Sequence, residues 1–164
     1  MFNVLIPRPH YIWWGYEVLK LLNVLLPEVT ENQNDPLVLD KESFLADRPY
    51  LIEKLAMDAL PRLIQVVNSD PNTYVCHGCL SVIYKIVHFS QSDKLVELLE
   101  NTNISSCLDR VFTRKDNHVL ILALQIVELI LQKFFSDKFI KLFIEEGVYF
   151  AISHFHHLGK HLHD

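Results

Sequence analysis

Ser92-Asp93-Lys94-Leu95-Val96-Glu97-Leu98-Leu99 is echoed, 44 residues on, by Ser136-Asp137-Lys138-Phe139-Ile140-Lys141-Leu142-Phe143. That offset is the length of one armadillo or HEAT helical unit. It also aligns Leu60, Leu63, Ile64 and Val67 with Ile104, Cys107, Leu108 and Val111, and then Ile104, Cys107 and Leu108 with Val148, Ala151 and Ile152. Within the longest apolar runs it pairs Val75 with Val119, Leu80 with Leu124, Val82 with Ile126, Ile83 with Val127 and Ile86 with Ile130. Apolar character kept at helical spacing is what stacked helices need, because one such unit cannot bury its own apolar face. The predicted fold is all-α: an armadillo/HEAT-like α-solenoid with a repeat of about 44 residues, truncated inside a unit at both ends.

Working outward, the units take these bounds. Residues 1–27 read as the last helix of a preceding repeat, with Ile12, Tyr16, Leu19, Leu22 and Leu26 at three-to-four spacing and Pro27 behind them. Residues 28–47, acidic and amide-rich, read as an inserted loop. Armadillo-like repeats are expected over 48–91 and 92–135, each with a short first helix, a second helix and a long third one. Residues 136–164 hold an incomplete repeat and a His-rich tail, so that a fragment of something longer, or a partial gene copy, is expected.

Asp70-Pro71 predicts a capping carboxylate followed by proline at the first helical position, and Asp116 predicts a cap for the matching helix one unit later. Asn103 and Gly147, also 44 apart, are residue types that tolerate the left-handed conformation closing a helix before a sharp turn. Ala59 stands at that place in the earlier unit, which predicts a turn built differently there.

Composition narrows the function classes. A formal charge of −5 and a pI near 6.0 leave no basic field to neutralise phosphates, so nucleic acid is not an expected partner. Val119 to Phe135 is strongly apolar, yet it is shorter than the roughly 20 residues a membrane span needs and contains Gln125, Glu128, Gln132 and Lys133. It reads as a helix enclosed by neighbours, not as a membrane segment. Three cysteines, an odd number, without a cleavable signal segment point to a reducing compartment, cytosol or nucleus.

Chemistry-bearing patterns are few. Cys76-His77-Gly78-Cys79 has a zinc-like or redox-like spacing, but a structural zinc needs four ligands and Cys107 is the only other thiol. Cys79 stands where Ala123 stands in the next unit, which favours small buried packing residues. His154, His156, His157, His161 and His163 could bind a transition metal weakly. No metal site, cofactor or small-molecule ligand is expected. There is no Gly-x-Ser-x-Gly elbow and no Gly-rich phosphate loop, and Glu145 and Glu146 are adjacent and so point apart on a helix. No catalytic residue is expected in this chain, which reads as a non-enzymatic segment.

Protein binding is the remaining class. Trp13 and Trp14 cannot both face one core from adjacent helical positions, and exposed tryptophan is enriched at binding hot spots. Polar residues on the long third helices, Ser81, Lys85, Gln125, Glu128 and Gln132, are the candidates for a face that holds a protein substrate or adaptor.

Pro7-Arg8-Pro9-His10-Tyr11-Ile12-Trp13-Trp14, with Tyr16-Glu17 and a Leu-rich helix ending in Leu25-Leu26-Pro27, resembles the armadillo-repeat region of plant HECT-type E3 ubiquitin-protein ligases of the KAKTUS kind. Cys79-Leu80-Ser81-Val82-Ile83, Phe89-Ser90, Thr102-Asn103-Ile104-Ser105-Ser106 and Ala123-Leu124-Gln125-Ile126 are similar to the same family, so the resemblance covers roughly 5–152. It implies a substrate-recruiting solenoid in a ligase whose separate HECT lobe forms a ubiquitin thioester. None of Cys76, Cys79 or Cys107 lies in the Thr-Cys-Phe type of motif expected around the thioester cysteine, so no catalytic residue carries over. The family has a longer Gly- and Ser-containing insertion where this chain has Glu28 to Asp47, a departure in keeping with a partial copy. The rival reading is a stand-alone armadillo adaptor or import receptor, which would show Trp and Asn ladders on the third helices. Trp occurs only at 13 and 14, and Asn is absent from Val75–His88 and Val119–Phe134.

Overall fold

Prolines, capping side chains and two left-handed residues set where the helices start and stop. The computed structural model describes residues 9–29, 35–69, 71–134 and 137–153, with the side chains of 9–14, 92, 93 and 138 outside that description. Its helices are α1 (Pro9–Leu25), α2 (Pro36–Ala46), α3 (Pro49–Asn68), α4 (Thr73–Phe89), α5 (Ser92–Asn101), α6 (Ile104–Phe112), α7 (Asn117–Lys133) and α8 (Asp137–Glu145). Helical backbone resumes over 148–153, and there is no strand among the described residues.

Asn103 at φ 52° and Gly147 at φ 87° take the left-handed conformation expected of them. Each sits between two short helices, where backbone with φ > 0 allows the chain to reverse. At Ala59 the chain does not turn: α3 runs unbroken for 20 residues through Ala59 and Pro61. An alanine pays about 1–2 kcal/mol for the left-handed region, so continuing the helix is the cheaper conformation. The stretch 48–91 therefore holds two helices, α3 and α4, and not the three expected.

Two further expectations are corrected. The cap of α4 is Asn72, whose side chain accepts from Val75 N–H at 3.0 Å, and Pro71 lies ahead of the helix. Asp70 is outside the described residues. Asp116 does cap α7, its Oδ1 accepting from His118 N–H at 3.0 Å and Val119 N–H at 3.1 Å. The supposed inserted loop contains α2: Asp35 accepts from Leu37 N–H at 2.9 Å and Pro36 occupies the first helical turn. Aspartate ahead of proline is a helix-start signal, and the acidic, amide-rich composition around it masked that signal. No residue of α2 is buried.

Packing follows the order of the chain. α4 lies against α1 on one side and α7 on the other, and among the described residues the most extensive helix–helix contact joins α4 to α7. α3 backs α4 and meets α6, and α6 backs α7. Thus α1, α4 and α7 form one layer and α3 with α6 a second, an all-helical arrangement compatible with an α-solenoid. Matched burial runs through both layers: Leu60, Ile104 and Val148 are all fully buried, as are Cys79 and Ala123, Val82 and Ile126, and Ile86 and Ile130. Each large aliphatic side chain so enclosed contributes about 1.5–3 kcal/mol of hydrophobic free energy. Among the described residues no helix is long and apolar enough to cross a membrane.

Candidate protein-binding site

An α-helix with neighbours on both flanks and behind it keeps only one narrow stripe for solvent, at three-and-four spacing. On α7 that stripe is His118, Ile121, Gln125, Glu128 and Gln132, all exposed. On α4 the residues 44 positions earlier are Tyr74, His77, Ser81, Tyr84 and His88, of which Tyr74, His77 and His88 are exposed while Ser81 and Tyr84 are half-buried. Lys133, at the end of α7, donates to the carbonyls of Val87 at 2.7 Å and of His88, in the last turn of α4. The two helices therefore end together and their stripes run side by side.

The paired stripes form a mixed aromatic and polar face. Tyr84 and His88 rings lie 6.3 Å apart, and His88 meets Phe89 edge-on at 4.8 Å. Gln132 Nε2 donates to Glu128 Oε1 at 2.9 Å, which fixes two neighbouring polar groups. The stripes hold one carboxylate and no Lys or Arg. Burial holds the His88 imidazole below its ordinary pKa, and the Lys133 ammonium acts in the same direction, against an opposing pull from Glu42. Burial also lowers the Lys133 pKa.

Of the residues expected on this face, Gln125, Glu128 and Gln132 are on it. Ser81 stands at its half-buried edge with its hydroxyl engaged by α1, and Lys85 is off it. Ser81 Oγ donates to Asn23 Oδ1 at 2.7 Å, and Asn23 Nδ2 in turn donates to Gly78 O at 3.2 Å, so Ser81 is part of the α1–α4 seam. Lys85 is 3% exposed, and its Nζ donates to Asn23 O and Glu28 Oε1, both at 2.8 Å. It lies one position past the Ser81–Tyr84 edge, and that 100° of rotation turns it into the seam. Tyr84 and His88 stand 44 residues before Glu128 and Gln132, and that offset is the sequence signal that places them on this face. The backbone of Trp13 and Trp14 is in α1, but their side chains, like the His-rich tail, lie outside the described residues.

Cys76, Cys79 and Cys107 are all fully buried. Burial, reinforced by the neighbouring thiols, pushes Cys79 and Cys107 up to about 12, the opposite of what a redox or metal-binding thiolate requires. Among the described residues no group of three or more His, Cys, Asp or Glu side chains could hold a metal ion.

No protein-family model matches the chain, and no solved structure matches it. Known proteins similar to it are large ligases. The E3 ubiquitin-protein ligase UPL4 of Arabidopsis thaliana is 49% identical over 137 residues, which is 84% of this chain and 9% of that protein. UPL3 of the same plant is 38% identical over 138 residues, 84% of this chain and 7% of that protein. TRIP12 of Danio rerio is 31% identical over 86 residues, 52% of this chain and 4% of that protein. The chain spans less than a tenth of the length of these curated relatives. Over the matched residues, this chain belongs with a segment of the plant HECT-type E3 ubiquitin-protein ligases.

Proposed function

We propose that this chain is an armadillo-type α-solenoid segment, of about 44 residues per unit, that recruits a protein substrate for ubiquitination by a HECT-type E3 ligase. The observation that supports this reading is the pair of register-matched stripes on α4 and α7 in a chain 49% identical to a segment of an E3 ligase. Side by side, Tyr84, His88, Gln125, Glu128 and Gln132 offer aromatic area and hydrogen-bonding groups with almost no net charge, a composition suited to another protein surface. The reacting groups would belong to other parts of the ligase. This segment's contribution is proximity: a substrate held on the stripes reaches a high effective concentration at the transferring lobe. Cytosol or nucleus is the proposed place of action.

The test places the changes in an intact ligase carrying this segment. Tyr84→Ala with Gln125→Ala and Gln132→Ala is expected to slow ubiquitination of the ligase's substrate at least about tenfold, as loss of a hot spot does, while ubiquitin thioester formation on the ligase is unchanged. Unchanged substrate ubiquitination, or a parallel fall in thioester formation, refutes the assignment.

A further inference from the structure

Helix α2, which has no counterpart between α4 and α5, builds a second surface near the His88 end of the stripes. Between the end of α1, α2 and the first half of α3 lies an open cleft of about 440 Å³ walled by Leu22, Leu25, Asp40, Phe44, Ile52 and Leu55. Leu25 and Phe44 are 60% and 51% exposed on its two sides. The volume lies within the about 300–1,000 Å³ of sites that take up apolar groups.

The charge around this cleft is one-sided. Residues 35–58, which form its α2 and α3 walls, carry six Asp and Glu against three Lys and Arg, and one of the six, Glu53, is paired with Lys94 at 2.9 Å. Two of those three cations are already engaged by the fold. Lys41 Nζ donates across the cleft to Val24 O at 2.6 Å, and the Arg48 guanidinium lies 4.3 Å over the Phe44 ring. Asp40 stands on the cleft wall itself.

We infer that the cleft docks a basic amphipathic helix of a partner protein, with Leu or aromatic side chains inserted between Leu25 and Phe44 and Lys or Arg facing the surrounding carboxylates. The apolar walls fit the buried side of such a helix in the helix-in-groove mode, and the acidic surroundings select its charged side. Val18 and Leu21, also exposed, continue along α1 the apolar stripe on which Leu25 stands. The inference is independent of the stripes on α4 and α7.

The test titrates the 164-residue chain against a fluorescein-labelled helical peptide of about 14 residues, roughly four turns, made of Leu and Lys at amphipathic spacing. The same peptide with Glu for Lys is the control, and anisotropy is the readout. The Leu/Lys peptide is expected to bind, to weaken at least about tenfold in Leu25→Ser with Phe44→Ser, and to weaken also in Asp40→Lys. Both residues of the double variant are exposed, and circular dichroism confirms that the helices remain. Equal binding of the Leu/Lys peptide to the double variant, or equal binding of the Leu/Glu peptide, overturns the proposal. Sedimentation showing a dimer that the double variant abolishes also overturns it, by making a second copy the occupant.

Discussion

Replacing Lys85 by methionine isolates what its buried ammonium does, because methionine keeps the apolar stem and length of the side chain. In the native chain Nζ donates to the Asn23 carbonyl at 2.8 Å, in the last turn of α1, where main-chain carbonyls lack helical partners. A hydrogen bond from a charged donor contributes about 1.5–3 kcal/mol, and a cation at a helix C-terminus about 0.3–1 kcal/mol, part of it the same interaction. The ion pair with Glu28 adds little, because that carboxylate is 63% exposed and regains water when the pair is broken. Against the loss stands relief of the ammonium's desolvation, which offsets part of it. The net expectation for Lys85→Met is a loss of about 1–2 kcal/mol, read by urea denaturation followed at 222 nm, with Glu28→Gln losing less than about 0.5 kcal/mol. Hydrogen exchange is expected to speed up in α1 before α7, since Lys85 ties α1 to the rest. A Lys85→Met chain as stable as the parent, or a Glu28→Gln chain that reproduces the whole loss, refutes the assignment of Lys85 as a helix cap.

Gly147→Ala places a Cβ at φ 87° and 3.2 Å from Asp109 Oδ1, so it is expected to cost about 1–2 kcal/mol and to lower the Tm by several degrees in a thermal melt. Asn103→Gly, at the matching turn, is expected to be near neutral. His88 is neutral in the fold more readily than in the unfolded chain, so its contribution to stability is complete above its unfolded pKa near 6.5 and is lost as pH falls through its lower folded value. Melts between pH 8 and pH 5 (roughly the imidazole range) are expected to show a smaller loss in His88→Gln than in the parent. Cys79 and Cys107, with thiols pushed up to about 12, are expected to resist iodoacetamide at pH near 8 until urea unfolds the chain, and mass spectrometry of the alkylated peptides reads this directly.

How far the sequence could be read depended on whether a signal was local or relational. Asp116 and the left-handed Asn103 and Gly147 were legible because each carries its own chemistry: an acceptor ahead of bare N–H groups, or a residue able to adopt φ > 0. The all-helical class was legible from apolar spacing. Helix α2 was not, because its apolar residues follow no strong stripe and none becomes buried, so composition outweighed the Asp35-Pro36 start. The fusion of α3 required weighing Ala59 against a turn and accepting Pro61 inside a helix, where a lost hydrogen bond is tolerated if packing on both sides holds the chain. Lys85 was misjudged because a lysine is ordinarily a surface residue, and its acceptor, Asn23 O, is 62 residues away in sequence.

Contacts of this kind join neighbouring helices beyond apolar stacking. Lys85 on α4 caps α1 at Asn23 O, and Lys133 on α7 caps α4 at Val87 O. In the other layer Arg110 on α6 donates to Asn68 O, the final residue of α3, at 3.0 Å. In each case a cation from the later helix satisfies the end of the earlier one. Yet Lys85 matches Leu129 and Lys133 matches Phe89 across the 44-residue offset, so the same contact is made from different registers and no comparison of repeats would find it. What recurs is the physical need, bare carbonyls at the negative end of a helix beside a neighbour, and any long side chain within reach can meet it. The clamps are directional, with the earlier helix depending on a later one for a cap, so loss of one should loosen the capped helix more than the helix that carries the cation.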